Sequence, residues 1–211
     1  MRRILLTLPL LAVVPLALIA QPAPPREAPG KADPARVTAG TYAVEATHSQ
    51  VGFEVMHFGF NPYFGLFGDV TGSMTLDPKN LNATTVDVTI PVMSVVTSSK
   101  GLNEHLLRAG KDGGKPDFFG PAPAPARFVS TGVVAKGMEA KITGNLTLNG
   151  ITKPVVLEAE FTGAGINPYS KKATVGFEAE TTIKRSDFGI TTGIPFVGDE
   201  VELDISVAFE K

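Results

Sequence analysis

The chain has 211 residues, 43% hydrophobic and 19% charged, with a formal net charge of −2. That length suits one domain, and that composition suits a folded chain rather than a disordered one. The slight acidity argues against nucleic acid as a partner, and the absence of cysteine excludes disulfides and a lipid-modified N-terminal cysteine.

Residues 1–20 read as a secretory signal. Arg2 and Arg3 precede an apolar run from Ile4 to Ile19, and Ala20 is small enough to precede the cut. The run is short for a membrane span and contains Pro9 and Pro15. No stable membrane insertion is therefore expected after cleavage, and the expected location is the periplasm or the exterior. Residues 21–40 are rich in Pro, Ala and Gly and lack periodicity, which predicts an extended linker.

Residues 41–211 alternate apolar and polar side chains, the pattern of half-buried strands. Val51, Phe53 and Val55 share one face, followed by Val70 to Leu76 and Val86 to Val92. A less regular strand lies around Phe128 to Val134. Ile142 to Leu148, Val155 to Phe161, Val175 to Ile183 and Val201 to Phe209 complete the set. Asp77-Pro78, Asn149-Gly150, Asn167-Pro168 and Gly198-Asp199 are turn signals. One short helix is expected over Ser98–Ala109, followed by a Gly/Pro/Phe loop over 110–126. Eight amphipathic antiparallel strands must hide their edges, as a closed barrel or as a two-sheet sandwich. Small residues at inward positions, Gly72, Gly144, Ala159 and Ala179, predict an interior with room for a ligand.

Few residues suggest chemistry. His48 and His57 are nine apart, which places them on opposite faces of a regular strand, and His105 falls on the helix, so no metal site is expected. No Gly-x-Ser-x-Gly elbow and no cysteine nucleophile occur, and the carboxylates fall mostly at outward positions. No catalytic residue is assigned. His57 shares a face with Val55 and is a candidate either for contacting a ligand head group or for a structural hydrogen bond. Phe53, Phe58, Phe60, Phe64 and Phe67, interleaved with Gly59, Gly65 and Gly68, suit a mouth that admits something apolar. Phe118, Phe119 and Phe128 form a second aromatic group, and Phe177 points inward by parity. Arg185 and Asp187 share a side next to Phe188 and are candidates to seal one barrel end. The ligand-contact candidates are therefore Phe53, Val55, His57, Phe64, Phe67, Phe118, Phe119, Phe128, Phe177, Arg185, Asp187 and Phe188.

Several segments, in order, carry a wider resemblance. They are Tyr42-Ala43-Val44-Glu45, His48-Ser49-Gln50-Val51-Gly52-Phe53-Glu54-Val55 with His57, and Phe64-Gly65-Leu66-Phe67. Then come Asn103-Glu104-His105-Leu106, Asp117-Phe118-Phe119, and Pro125-Ala126-Arg127-Phe128. Gly144 to Val155 and Arg185-Ser186-Asp187-Phe188-Gly189-Ile190 close the series. The chain resembles the YceI-like family of bacterial periplasmic polyisoprenoid-binding proteins. Asn103 and Glu45 depart from the pattern, which has Asp at both positions. The resemblance implies an all-β, eight-stranded antiparallel lipocalin-like β-barrel with an interior tunnel. It also implies a bound polyisoprenoid or quinone-like lipid, no other cofactor, no enzymatic activity, and a homodimer. The alternative is a barrel filled by its own side chains, acting as a structural or interaction module.

Overall fold

A computed structural model describes residues 27–211. The signal read over 1–20 and the first part of the linker lie outside the described residues. The strands are β1 (Gly40–Val44), β2 (Gln50–His57), β3 (Asn61–Phe67), β4 (Thr71–Leu76), β5 (Thr85–Ile90) and β6 (Val96–Thr97). Helix α1 (Lys100–Leu107) follows, and then β7 (Ala126–Lys136), β8 (Glu139–Leu148), β9 (Ile151–Ile166), β10 (Ala173–Lys184) and β11 (Val197–Glu210). Every pairing is antiparallel. The order β1-β4-β5-β7-β8-β9-β10-β11 closes on itself where β1 also meets β11, giving an eight-stranded barrel.

The strands form where the sequence alternates, and the alternation faces the way it predicts. Val86 and Val88 on β5, Ile142 and Leu146 on β8, and Leu203 and Val207 on β11 all point inward. The membership of the barrel differs from the expected set. The segment 51–55 is not a stave of the closed ring. It belongs to β2, which continues β1 past a break at residues 45–49 and pairs with the upper part of β11. β3 and β6, not expected as strands, extend the sheet from β2.

Two irregularities have local causes. The strand around Phe128 looks irregular because β7 carries a bulge between Ser130 and Gly132, so Phe128 and Val133 both face inward despite an odd separation. Gly198-Asp199 is not a turn but lies within β11, where the register against β2 shifts between Val197 and Val201. The Asn149-Gly150 turn between β8 and β9 takes positive φ at both residues (52° and 76°), as a tight hairpin requires. Helix α1 is capped by the Ser99 hydroxyl, which accepts from the Leu102 N–H.

The segment from residue 27 onward is no free linker. Lys31 and Ala164 exchange two backbone hydrogen bonds, of 3.1 and 2.8 Å. β8 pairs with β9 no further than Glu160, so the end of β9 would be an open edge without this strap. Gly163 and Gly165 make the approach feasible, since a Cβ on Gly165 would overlap the Pro29 carbonyl oxygen. Val37 then packs on a core of Tyr42, Met74, Phe161, Val175 and Phe209. Tyr42 is fully buried, and its hydroxyl donates to the Thr38 carbonyl at 2.6 Å.

The outer wall is acidic. Glu160 on β9 sits opposite both Glu139 on β8 and Glu178 on β10, and Glu180 on β10 sits opposite both Glu158 and Asp204. Like charges directly opposite destabilise a sheet.

Two outcomes follow. Gly165→Ala should release the strap, seen as faster tryptic cleavage at Lys31 and Arg36, while the barrel stays folded; unchanged resistance would show that the strap does not depend on that contact. Glu160→Lys should raise stability at low salt by about 0.2–1 kcal/mol per pair relieved, measured by urea unfolding, with the gain shrinking as salt is added.

Candidate functional site

The barrel encloses a cavity of about 280 Å³. Its wall is aliphatic and aromatic; among the described residues the one ionisable residue at its border is Glu139, whose side chain shares the outer face with Glu160. Room is left by a row of alanines. Ala140, Ala159 and Ala179 are register partners on β8, β9 and β10, and all three border the cavity. The glycines do something else. A Cβ on Gly144 would overlap the Phe128 ring, so that space is filled by Phe128, and Gly72 lets β4 approach the Asp87–Val88 backbone.

The candidate residues separate on this geometry. Phe67, Phe128 and Phe177 border the cavity. Phe53 stacks on Phe67 with ring centroids 5.5 Å apart, and Phe119 meets Phe67 edge-on at 6.0 Å, so these two back the wall from outside. Phe118 lies 5.1 Å from His105, against α1. Val55 is half-buried opposite Val201 and does not border the cavity. His57 and Phe64 are exposed, because β2 and β3 run past the closed ring into solvent. His57 is therefore not the buried residue that its parity suggests; its ring packs edge-on against Phe58 at 4.4 Å.

Arg185, Asp187 and Phe188 do not reach the cavity. Arg185 is buried and donates to the carbonyls of Gly198, Ile190, Thr192 and Val197 at 2.7–3.1 Å. It pins the 189–198 loop by its fork of donors, and not through an ion pair with Asp187, which is exposed. Burial pushes the guanidinium pKa down, with Asp199 opposing. Asp199 accepts from the Ser186 hydroxyl and N–H, and these bonds hold its carboxyl below the usual range. Phe188 is 1% exposed and packs with Phe128, Leu146 and Ile183, closing that end.

Loop 108–125 is tied to α1. Asp117 accepts from Arg108 and is bonded to His105, both at 2.8 Å, and the two partners, Arg108 first, hold its carboxyl low. The Phe119 N–H donates to the Leu106 carbonyl at 3.0 Å, which sets the Phe119 ring against Phe67. The two departures from the family pattern have local roles. Asn103 accepts from the Thr97 N–H and donates to the Thr97 carbonyl, a donation that a carboxylate cannot make. Glu45 accepts from the N–H groups of Thr47 and His48 at the break between β1 and β2.

The residues missed as site candidates are aliphatic, such as Met74, Ile142, Leu157 and Ile205, together with Pro34 and Val37 of the strap. Strand alternation marks the first four as inward. Nothing in the Pro/Ala-rich stretch marks the last two.

The molecule is thus an antiparallel barrel around an apolar cavity, a lipocalin-like class of protein. The YceI-like domain family matches residues 42–209. Protein YceI of Salmonella arizonae is 45% identical over 164 residues, covering 77% of this chain and 82% of that protein. Crystalline BcnA of Burkholderia cenocepacia superposes with a TM-score of 0.64 at 26% identity, covering 78% of this chain and 98% of the other. A polyisoprenoid binding domain from Saccharophagus degradans shares the fold, with a TM-score of 0.55 at 14% identity over 80% of this chain and 97% of its own. The chain belongs to the YceI-like domain family.

Replacing Arg185 by Met leaves four carbonyls without their donor, the Ile190 carbonyl in a buried position, and should cost at least about 3 kcal/mol. Urea unfolding measures the loss, and a cost below about 1 kcal/mol would mean that water replaces the clamp.

Proposed function

We propose that the barrel binds a long-chain isoprenoid or similar apolar lipid in its interior, as a carrier or store in the periplasm or outside the cell, and that it does so as a homodimer without catalysing a reaction. The observation that carries this reading is the cavity of about 280 Å³ with a wall almost free of charge. Burial of each CH₂ is worth roughly 0.8 kcal/mol, so several isoprene units supply affinity with no charged anchor. Ordering the chain and associating it offset much of that gain. Open space at the alanine row favours a ligand site over a barrel filled by its own side chains.

Native mass spectrometry of protein purified from its own cell envelope, followed by organic extraction, tests the reading. A stoichiometric adduct that extracts as a polyprenyl lipid is expected, and the same spectra read the dimer. An apo mass with no uptake of added polyprenyl lipid would overturn it. Ala179→Phe, which places a ring in the cavity, should abolish uptake at a stability cost of about 1–3 kcal/mol. Undiminished uptake by that variant would place the lipid elsewhere.

A further inference from the structure

Exposed apolar side chains gather at the end of the molecule where β2 and β3 run past the closed ring. Phe58 and Phe60 lie in the turn between these strands and are 52% and 88% exposed. Phe196, 65% exposed, comes from the 189–198 loop, and its ring lies 5.9 Å from that of Phe58. Met56 and Phe64 are diagonal neighbours on one face of the same hairpin, and both are exposed.

The turn carries strain for its aromatic tip. The Phe60 N–H donates to the His57 carbonyl at 3.0 Å, and φ is positive at Phe58 (51°) and Gly59 (69°), the geometry that favours Asn-Gly. A bulky ring is disfavoured at the first of these positions. The aromatic neighbours of the Phe58 ring, His57 at 4.4 Å and Phe196, are themselves exposed, so burial gives little in return.

Charge, area and backbone pairing together select the occupant. Neither 55–68 nor 188–198 contains Asp, Glu, Lys or Arg, although the chain is 19% charged. A partner held by ion pairs finds none here, and anionic lipid gains no attraction. At roughly 200 Å² per side chain, the four phenylalanines present roughly 500 Å². That matches the patches that mark interaction sites on soluble proteins, yet it falls short of the roughly 800 Å² that each partner buries in a stable protein pair. A bilayer surface needs no complementary shape and accepts a projecting tip. The tip is also prepared to leave water. The Phe58 N–H donates to the Phe196 carbonyl at 2.6 Å and the Val197 N–H to the Gly193 carbonyl at 2.9 Å, besides the Phe60 bond. Donors that enter an apolar layer must be paired within the protein. The Arg185 clamp on the 189–198 loop fixes the support beneath Phe196.

We propose that Phe58, Phe60 and Phe196 form a membrane-docking tip, which enters the interfacial layer of a bilayer reversibly and by apolar burial rather than by charge. Docking is separate from lipid binding in the cavity and stands without it. It would bring the barrel to the one phase in which an apolar ligand dissolves.

The chain has no tryptophan, so Phe60→Trp places a single reporter at the tip. Its emission should shift to the blue on mixing with phosphatidylcholine vesicles and be quenched by brominated lipid. No shift with vesicles would overturn the proposal, and so would a shift without vesicles that grows with protein concentration, because a second copy would then cover the patch. Flotation of the wild type should give affinities within about twofold for neutral vesicles and for vesicles containing phosphatidylglycerol, at low and at high salt alike. Binding confined to anionic vesicles would overturn the apolar mode. Phe60→Ser/Phe196→Ser should weaken vesicle binding at least about tenfold with Tm unchanged, since both side chains are exposed. Phe58→Asn should weaken it as well while holding or raising Tm, because Asn accepts the positive φ. Undiminished binding by these variants would overturn the tip. Native mass spectrometry of lipid uptake keeps the two readings apart: docking without uptake leaves the tip standing, and uptake without docking overturns the tip alone.

Discussion

Closing the barrel depends on how one edge of β11 is divided. Only Ala43 and Val44 of β1 pair with it, at Glu210 and Phe209, while β2 takes the stretch from Val197 to Ser206. Between them the chain breaks at residues 45–49, and Ser49 joins the two halves. Its buried hydroxyl donates to the Glu45 carbonyl at 2.7 Å and accepts from the Ala208 N–H at 3.1 Å, and the Glu45 N–H returns to the Ala208 carbonyl at 2.8 Å. A side chain thus replaces a ladder bond at the point where the ladder changes course. Because β1 turns away there to meet β4, the ring closes. Because β2 continues, β3 and β6 are carried beyond it. The exposed positions of His57 and Phe64 follow from the same division.

Given closure, the inner radius is set by eight strands, and whether the interior is solid depends on side-chain volume. The alanine row on β8, β9 and β10 holds the wall apart, while Phe128 fills the space above Gly144. An apolar void of this size costs the folded protein several kcal/mol if it stays empty. An apolar ligand bound there would recover that loss and would itself be removed from water. The same physics explains why the wall carries almost no charge: an ion facing the cavity would lose its hydration with nothing to replace it.

The ends and edges are finished with polar contacts. Arg185 ties four carbonyls of the 189–198 loop over Phe188, and the strap beginning at Lys31 covers the open edge of β9. On the flank, the Asp117 contacts with Arg108 and His105 hold the loop that presses Phe119 on Phe67. The Arg185 clamp and the strap satisfy backbone groups that would otherwise lack partners, while the Asp117 contacts join side chains.

Much of this was legible in the sequence, and the reason is periodicity. Alternation with a period of two identifies both the strand and its inward face, so the aliphatic lining of β4, β5, β8, β9, β10 and β11 follows from residue order alone. The family segments are legible for a similar reason, since they mark turns, caps and ends whose local geometry admits few residue types. Which strand closes the ring was not legible, because β1 and β2 alternate alike and only tertiary pairing divides the edge of β11 between them. Nor were the ligand-facing aromatics: Phe53, Phe64 and Phe67 lie within fifteen residues, yet only the twist and end of the sheet decide that Phe67 borders the cavity, Phe53 backs it and Phe64 meets solvent. The strap carries no period at all; its place is decided by the uncovered edge of β9 and by two glycines that let a second backbone approach. The sequence determined most of the strands, their inward faces and the family, because these are properties of neighbouring residues. Closure, the cavity beside the alanine row and the strap over β9 were decided only by the tertiary structure, because each depends on residues that are distant in the chain.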